Sequence, residues 1–281
     1  MVSGSPGPVA GAHQGRVLVI AGSDPSGGAG IQADIKTITA LRGYAATALT
    51  ALTVQNTQGV TDVMPIPAAF VKSQMEAVLS DIGADMIKTG MLHDAQVMAS
   101  LVICLKEANF TGGIVVDPVM VATSGDILIE TKAIAYLKEH LLPIASLITP
   151  NIPEAAILTG IDIETVSDLQ RAGEILLGMG PRAVLLKGGH LTSDWLVDTL
   201  LTQDGGIVEI ESRRLHTRHT HGTGCTLASA IATGLARGDG LELAFRRGHA
   251  FVREAIEKAP GFGQGNGPLG HSAVCVDRIL K

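Results

Sequence analysis

Short apolar runs that end in polar or glycine-rich residues recur along this chain, with helical pattern between them. That rhythm constrains the fold more than any other feature. Arg16–Ala21 (RVLVIA) reads as a buried strand, with a helix near Ala29–Leu41 and a second strand over Thr47–Val54. From Phe70 to Ile82 apolar residues return every three or four positions, which predicts an amphipathic helix. Strand-like segments follow at Met86–Lys88, Ile114–Val116, Leu147–Thr149 and Val184–Leu186. Repeated βαβ units of this kind predict an α/β fold, with a mostly parallel sheet covered by helices on both faces. The composition fits, because 46% of residues are hydrophobic but only 3% aromatic, so aliphatic side chains must fill the core. Trp195–Leu201 and Gly206–Ile210 flank a Gln203-Asp204-Gly205 turn, which predicts a hairpin on one edge. Helices near Thr223–Ala236 and Leu241–Lys258 close the fold. No composition break or repeat interrupts residues 16–281, which read as a single domain behind a flexible tail, residues 1–15.

Several function classes are disfavoured. The formal charge is −6 and no block of Lys or Arg is present, so the footprint of a nucleic-acid binder is missing. Three cysteines, Cys104, Cys225 and Cys275, do not make a disulfide framework in a chain this long. The first residues lack a basic segment followed by an apolar one, and no apolar run reaches the roughly 18 residues of a membrane span. A cytoplasmic protein is expected.

In open α/β sheets ligands bind outside the carboxyl ends of the strands. Those ends carry Gly22-Ser23-Asp24, Gln55-Asn56-Thr57, Lys88-Thr89-Gly90-Met91, Asp117-Pro118, Pro150-Asn151 and Lys187-Gly188-Gly189-His190. Thr220-His221-Gly222-Thr223-Gly224-Cys225 leads into a helix, whose free N–H groups and dipole make an anion cradle. Cys225 falls in the first turn, where a thiolate is expected to be stabilised, although a small buried cysteine is the competing reading. Glu154, three residues after Asn151, is either a carboxylate for a hydrated Mg²⁺ or an ordinary first-turn glutamate. Asp117 is either poised to meet a cation or a turn residue before proline. Lys187 either reaches nucleotide phosphates or is solvated before a turn. The glycines of Gly22–Gly30 match neither a Walker A loop nor the spacing of a dinucleotide fold, which disfavours an NAD-dependent dehydrogenase. His190 and His221 show no metal-ligand spacing with the cysteines.

Together, GSDPSGGAGIQAD at Gly22–Asp34, Gln55-Asn56-Thr57, Lys88–Met91, Asp117–Met120, TPNIPEA at Thr149–Ala155, KGGH at Lys187–His190 and THGTGC at Thr220–Cys225 resemble one family in order and spacing. The family is the hydroxymethylpyrimidine kinase/phosphomethylpyrimidine kinase of thiamine biosynthesis, in the ribokinase-like superfamily. The resemblance covers about residues 16–272, includes Gly263–Pro268, and shows no thiamine-phosphate synthase domain. It implies a ribokinase-like fold and two successive ATP-dependent phosphorylations of a small aminopyrimidine, first of its hydroxymethyl group and then of the monophosphate. It assigns Gln55 to the aminopyrimidine edge, and Gly22, Asp34, Met91 and Val119 to the pocket wall. Lys187, Gly222, Thr223 and Gly224 would meet the nucleotide and its transferring phosphate, and Glu154 and Asp117 the Mg²⁺. Cys225 stands where the superfamily's sugar kinases use an aspartate base. His219, before the cradle, departs from an expected Asn or Asp and is expected to tune a loop. A homodimer is implied as well. Two readings compete: a pyridoxal kinase of the same fold, as main or side activity, and a catalytically silent binding protein.

Overall fold

The structure, a computed structural model, describes residues 14–120, 131–188 and 194–276. Strand β1 (Arg16–Ser23) leads through helix α1 (Gly30–Ala40) to β2 (Tyr44–Asn56), which pairs parallel to it. Strand β3 (Gly59–Pro65) folds back antiparallel on β2. After α2 (Ala68–Asp81) the chain crosses to the other side of β1 as β4 (Met86–Thr89). It then runs outward through α3 (Ala95–Glu107), β5 (Gly113–Val116), α4 (Thr131–Tyr136), β6 (Leu147–Ile148), α5 (Ile152–Thr159), α6 (Val166–Leu177) and β7 (Ala183–Leu186), every strand parallel to its neighbour. An antiparallel hairpin, β8 (Trp195–Thr202) and β9 (Ile207–Arg213), makes the far edge. Helices α7 (Thr223–Ala236), α8 (Leu241–Glu257) and α9 (His271–Val276) follow. Among the described residues the strands form one sheet in the order β3-β2-β1-β4-β5-β6-β7-β8-β9.

Successive side chains of a strand point to opposite faces, and β1 shows the result. Leu18 and Ile20 join one apolar cluster with Met75 of α2, Leu101 of α3 and Leu176 of α6. Val17, Val19 and Ala21 join another with Ile38 of α1, Ile231 of α7 and Phe245 of α8. A strand buried on both faces cannot alternate apolar with polar, which is why RVLVIA is continuous. The chain leaves β1 for β2 on one side and returns beside β1 as β4 on the other. The crevice between the carboxyl ends of these strands is the topological switch point where such sheets bind ligands.

The expected strands and helices are found, with two additions. Strand β3 (GVTDVMP) has no fully buried residue, so it carries no alternation against a core that sequence periodicity could register. Helix α9 is six residues, too short for a periodic signal. The glycine and histidine at 189 and 190 lie outside the described residues.

Candidate active site

A cavity of about 920 Å³ opens at the carboxyl end of the sheet. Gly22, Gln55, Met91, Val119, Asp117, Glu154, Lys187, Gly222, Thr223, Gly224 and Cys225, all singled out from the sequence, line it. Asp34 does not. It is fully buried beneath the cavity, where Oδ1 accepts from Lys88 Nζ at 2.9 Å and from Ser229 Oγ at 2.6 Å. Its assignment to the pocket wall is therefore corrected: a carboxylate one turn into α1 lies between that helix, α7 and the sheet, and pairs with a lysine of β4. Burial pulls both groups toward neutrality. Asp34 opposes this on the ammonium and holds Lys88 above the ordinary lysine range, while the Asp34 carboxyl also moves upward. One oxygen of Asp34 thus takes both donors, while Oδ2 is buried without a hydrogen-bond partner among the described residues.

One end of the cavity is built from glycines and three charged groups. Helix α7 starts at Gly222 with φ 83°, and no side chain caps its first N–H groups. A Cβ at Gly222 would run into the carbonyl of Gly28, so only glycine fits there. A Cβ at Gly224 would stand 3.3 Å from Lys187 Nζ and 3.6 Å from Asp117 Oδ2, inside the space an anion would use. Lys187 follows β7 and lies 3.3 Å from Asp117 Oδ1, which also accepts from Thr149 Oγ1 at 3.0 Å. Glu154 is placed as the first-turn glutamate that its position allowed. It closes a capping box with Asn151 at the start of α5, and it also lines the cavity. Burial pushes its carboxyl up to about 7 against the pull of Lys187.

Cys225 does not carry the stabilised thiolate expected of a helix N-terminus. Burial raises the thiol to about 11; Lys88 opposes the shift, and the carboxylates of Asp34 and Asp117 reinforce it. The dipole of α7 acts, but desolvation and two nearby acids outweigh it. Cys104 is buried in α3, as its apolar surroundings imply.

The other end of the cavity holds residues that the sequence did not single out. His221 is 7% exposed, and its Nε2 lies 2.9 Å from Asp24 Oδ2 and 3.3 Å from Gln55 Nε2. Burial opposes ionisation of Asp24, but hydrogen bonds from His221, Ser26 and Ala29 win and hold its carboxyl at about 2. Thr53 Oγ1 reaches the Ser23 carbonyl at 2.9 Å and Gln55 Oε1 at 3.1 Å. A Cβ on Gly28 would meet the His221 ring. The first glycine loop thus has a definite job, which is to hold Asp24 and let His221 and Gly222 pack against it. Arg218 donates to the Gln264 carbonyl at 2.8 Å, and the Asn266 N–H donates to the Thr57 carbonyl at 2.7 Å, so the loop around Gly263 braces the cradle. His219 packs against Gly267 of that loop, where a Cβ would meet its ring. Lys88 left a readable signal, a lysine between Ile87 and Thr89 in a short strand buried along its whole length. His221 left little, since its partners are 166 and 197 residues away.

Among the described residues no cluster of three His, Cys, Asp or Glu is placed to hold a metal by itself, and no helix is long and apolar enough to cross a membrane. The profile of the phosphomethylpyrimidine kinase family matches residues 24–270. The chain is 48% identical over 265 residues to the thiamine biosynthesis bifunctional protein of Geobacter sulfurreducens, covering 94% of this chain and 54% of that one. It therefore spans about half of that longer relative. It is 43% identical over 258 residues to the hydroxymethylpyrimidine/phosphomethylpyrimidine kinase of Bacillus subtilis, covering 92% of this chain and 95% of that one. Among solved structures, the phosphomethylpyrimidine kinase of Clostridium difficile matches with a TM-score of 0.75 at 41% identity, covering 86% of this chain and 99% of that one. The pyridoxal kinase of Staphylococcus aureus, in complex with AMP-PCP and pyridoxal, matches with a TM-score of 0.85 at 33% identity, covering 94% and 95%.

Proposed function

The chain belongs to the phosphomethylpyrimidine kinase family, and on that premise we propose how its cavity works. The reaction is transfer of the γ-phosphoryl group of ATP to 4-amino-5-hydroxymethyl-2-methylpyrimidine, and then to the monophosphate so formed, in thiamine biosynthesis. One observation carries the reading: a single cavity joins an amide side chain suited to a heterocycle, Gln55, to an uncapped glycine helix start with a lysine, Lys187, beside it. Gln offers a donor and an acceptor, which match a ring nitrogen beside an amino group. Phosphoryl transfer asks mainly for positioning and for charge to meet the phosphate oxygens.

In the first step the hydroxymethyl oxygen bonds to the γ-phosphorus, the bond to the β-phosphate oxygen breaks, ADP leaves, and the hydroxyl proton is released. The N–H groups of Gly224 and its neighbours and the Lys187 ammonium face the transferring group. Cys225 stands beside them and can receive the proton only as the minor thiolate, because burial raises its thiol to about 11. Its thiol keeps no standing negative charge at neutral pH, so it does not repel the incoming phosphates. In the second step the acceptor is a phosphate ester, largely dianionic near pH 7, and needs no base.

The donor set fits Mg²⁺, which keeps several waters and takes one or two carboxylates together with substrate phosphates. Asp117 and Glu154 would hold it, and when bound it supplies charge neutralisation between neighbouring phosphate oxygens. Burial holds the Glu154 carboxyl at about 7, so a cation beside it would draw out the proton it still carries there. A second copy of the chain would pack on the edge formed by β2 and β3, where Val54 and Met64 are 60% and 64% exposed. A cytoplasmic location belongs to the same reading. A second substrate is favoured by one finding, the 33% identity to a pyridoxal kinase with its bound ligands. The deciding assay offers ATP with the pyrimidine alcohol, its monophosphate and pyridoxal in parallel, with and without chelator. Turnover of both pyrimidines, lost in chelator, is expected. Pyridoxal as the better substrate would overturn the reading, and full activity in chelator would remove Asp117 and Glu154 from a metal site.

A further inference from the structure

The hydrogen bonds around Gln55 leave one self-consistent arrangement of protons. His221 Nε2 has two neighbours, Asp24 Oδ2 at 2.9 Å and the Gln55 amide nitrogen at 3.3 Å. An imidazole nitrogen carries either a proton or a lone pair, not both. Asp24 already accepts from the N–H groups of Ser26 and Ala29, each at 2.8 Å, as an ionised carboxylate does. A lone pair on Nε2 would face that carboxylate, so Nε2 carries the proton and donates it to Asp24. The Gln55 amino group then points N–H against N–H. A second conflict lies on its other side, where Thr53 Oγ1 has one proton and two acceptors, the Ser23 carbonyl and Gln55 Oε1.

A half-turn of the Gln55 amide removes both conflicts at once. Its oxygen then shares the His221 proton with Asp24. Its amino group donates to Thr53 Oγ1, whose own proton stays on the Ser23 carbonyl. Every donor has an acceptor, and no atom moves except by exchange of the amide's two ends. We infer that the series Asp24, His221, Gln55, Thr53 and Ser23 fixes the polarity of the amide that meets the substrate ring, which makes Asp24, His221 and Thr53 positioning residues for selectivity. This rests on the reading that Gln55 pairs with the aminopyrimidine.

The consequence is chemical. In the turned state the amide keeps one N–H and one carbonyl lone pair for the ligand, in a fixed order. A ring nitrogen beside an exocyclic amine needs an N–H then a C=O. The 4-oxo analogue of the same alcohol presents a ring N–H beside a carbonyl and needs the opposite order. A free glutamine turns its amide to suit either ring. A locked one accepts one ring and leaves unpaired polar groups with the other.

The test measures kcat/KM with ATP for the amino alcohol and for its 4-oxo analogue, in the wild type, Gln55→Met, His221→Phe and His221→Gln. The wild type should prefer the amino ring. His221→Phe should lower the amino-to-oxo ratio about tenfold or more, because the amide is freed. His221→Gln should restore most of it, since Asp24 holds the new amino group with its second proton toward Gln55. A ratio unchanged in His221→Phe but lost in Gln55→Met overturns this inference and leaves Gln55 as the ring reader. A ratio unchanged in Gln55→Met overturns the reading beneath it. Equal losses for both rings in His221→Phe mark a merely structural histidine and also count against the inference. If His221→Phe does not fold, ¹⁵N spectra of histidine-labelled wild type decide, with the signal assigned by its absence in His221→Gln. A proton on Nε2 supports the inference, and a proton on Nδ1 alone overturns it.

Discussion

Asp24 and Glu154 are buried carboxyl groups at opposite ends of one cavity, and their acidities have moved in opposite directions. Asp24 collects donors from His221, Ser26 and Ala29 and is held at about 2. Glu154 keeps two backbone donors and the more distant attraction of Lys187, and burial lifts it to about 7. One end is therefore complete before a ligand arrives. The other holds its ionisation back for a charge that the substrate complex brings. The same contrast runs through the neighbours: the Gln55 amide is spoken for, whereas the first N–H groups of α7 have no side-chain cap. A kinase that must tell one small ring from another gains from rigidity at the ring. In the proposed reaction the phosphates bring their own charge and cation, so the end that would receive them needs space and dipoles more than finished pairs.

The largest effect should come from the waiting end. Cys225→Ala should cut kcat/KM for the pyrimidine alcohol by a factor that grows as pH rises toward about 11 and the thiolate forms, up to the roughly 10²–10⁴ of a lost general base, and affect the monophosphate much less. Equal losses with the two acceptors would leave the cysteine as part of the cradle's shape. Gly224→Ala comes next, because its Cβ enters the space beside Lys187 and Asp117. Turnover of both acceptors should fall about 10²–10³-fold, as when one oxyanion donor is lost, and thermal midpoints should barely move. A large drop in the midpoint would show that this end, too, is finished in advance.

Stability separates the ends by sign. Asp24→Ala leaves the N–H groups of Ser26 and Ala29 and the His221 ring without their acceptor. At about 1–3 kcal/mol for each buried group left unpaired, the melting temperature should drop by roughly several degrees or more. In the wild type the contribution of Asp24 is present above about pH 4 and is lost as pH falls toward 2. Glu154 works the other way. Its penalty is absent below about pH 4.5, grows as pH rises, and is complete above about 7, so the ligand-free protein loses stability across that window. Glu154→Gln keeps an acceptor for the capping box and should flatten that part of the stability–pH curve in thermal melts. The wild type should gain Mg²⁺ affinity as pH rises toward 7, and the same substitution should remove that gain, read by titration with the nucleotide complex. An unaltered melting curve in Glu154→Gln would end the contrast between the two carboxyls.

Much of this could be read from the chain. Continuous apolar runs mark strands buried on both faces, and their polar ends mark the crevice, so Gln55, Asp117, Lys187 and the Gly222–Cys225 turn are legible as a group. What stayed hidden depends on distance or on competition between effects. The pairing of Asp34 with Lys88 joins residues 54 positions apart on different elements, and a carboxylate that follows a glycine-rich loop reads more easily as pocket wall than as foundation. His221 acquires meaning only beside Asp24. For Cys225 the helix start was visible, but the outcome turned on burial and on Asp34 and Asp117, which only packing reveals. Strand β3 escaped because an exposed edge has no core to imprint a period on it.

The contact between Gly28 and Gly222 also has a consequence in time. A protein made from its first residue onward has its opening glycine loop in place long before the turn that must rest on it has left the ribosome. Contacts so far apart along a chain close slowly and late. The pocket can be completed only after the sheet has formed, when α7 settles against the loop that follows β1. Truncated or nascent chains ending before that turn would carry most of the sheet and none of the phosphate cradle, so this fold withholds its chemistry until nearly the whole molecule is present.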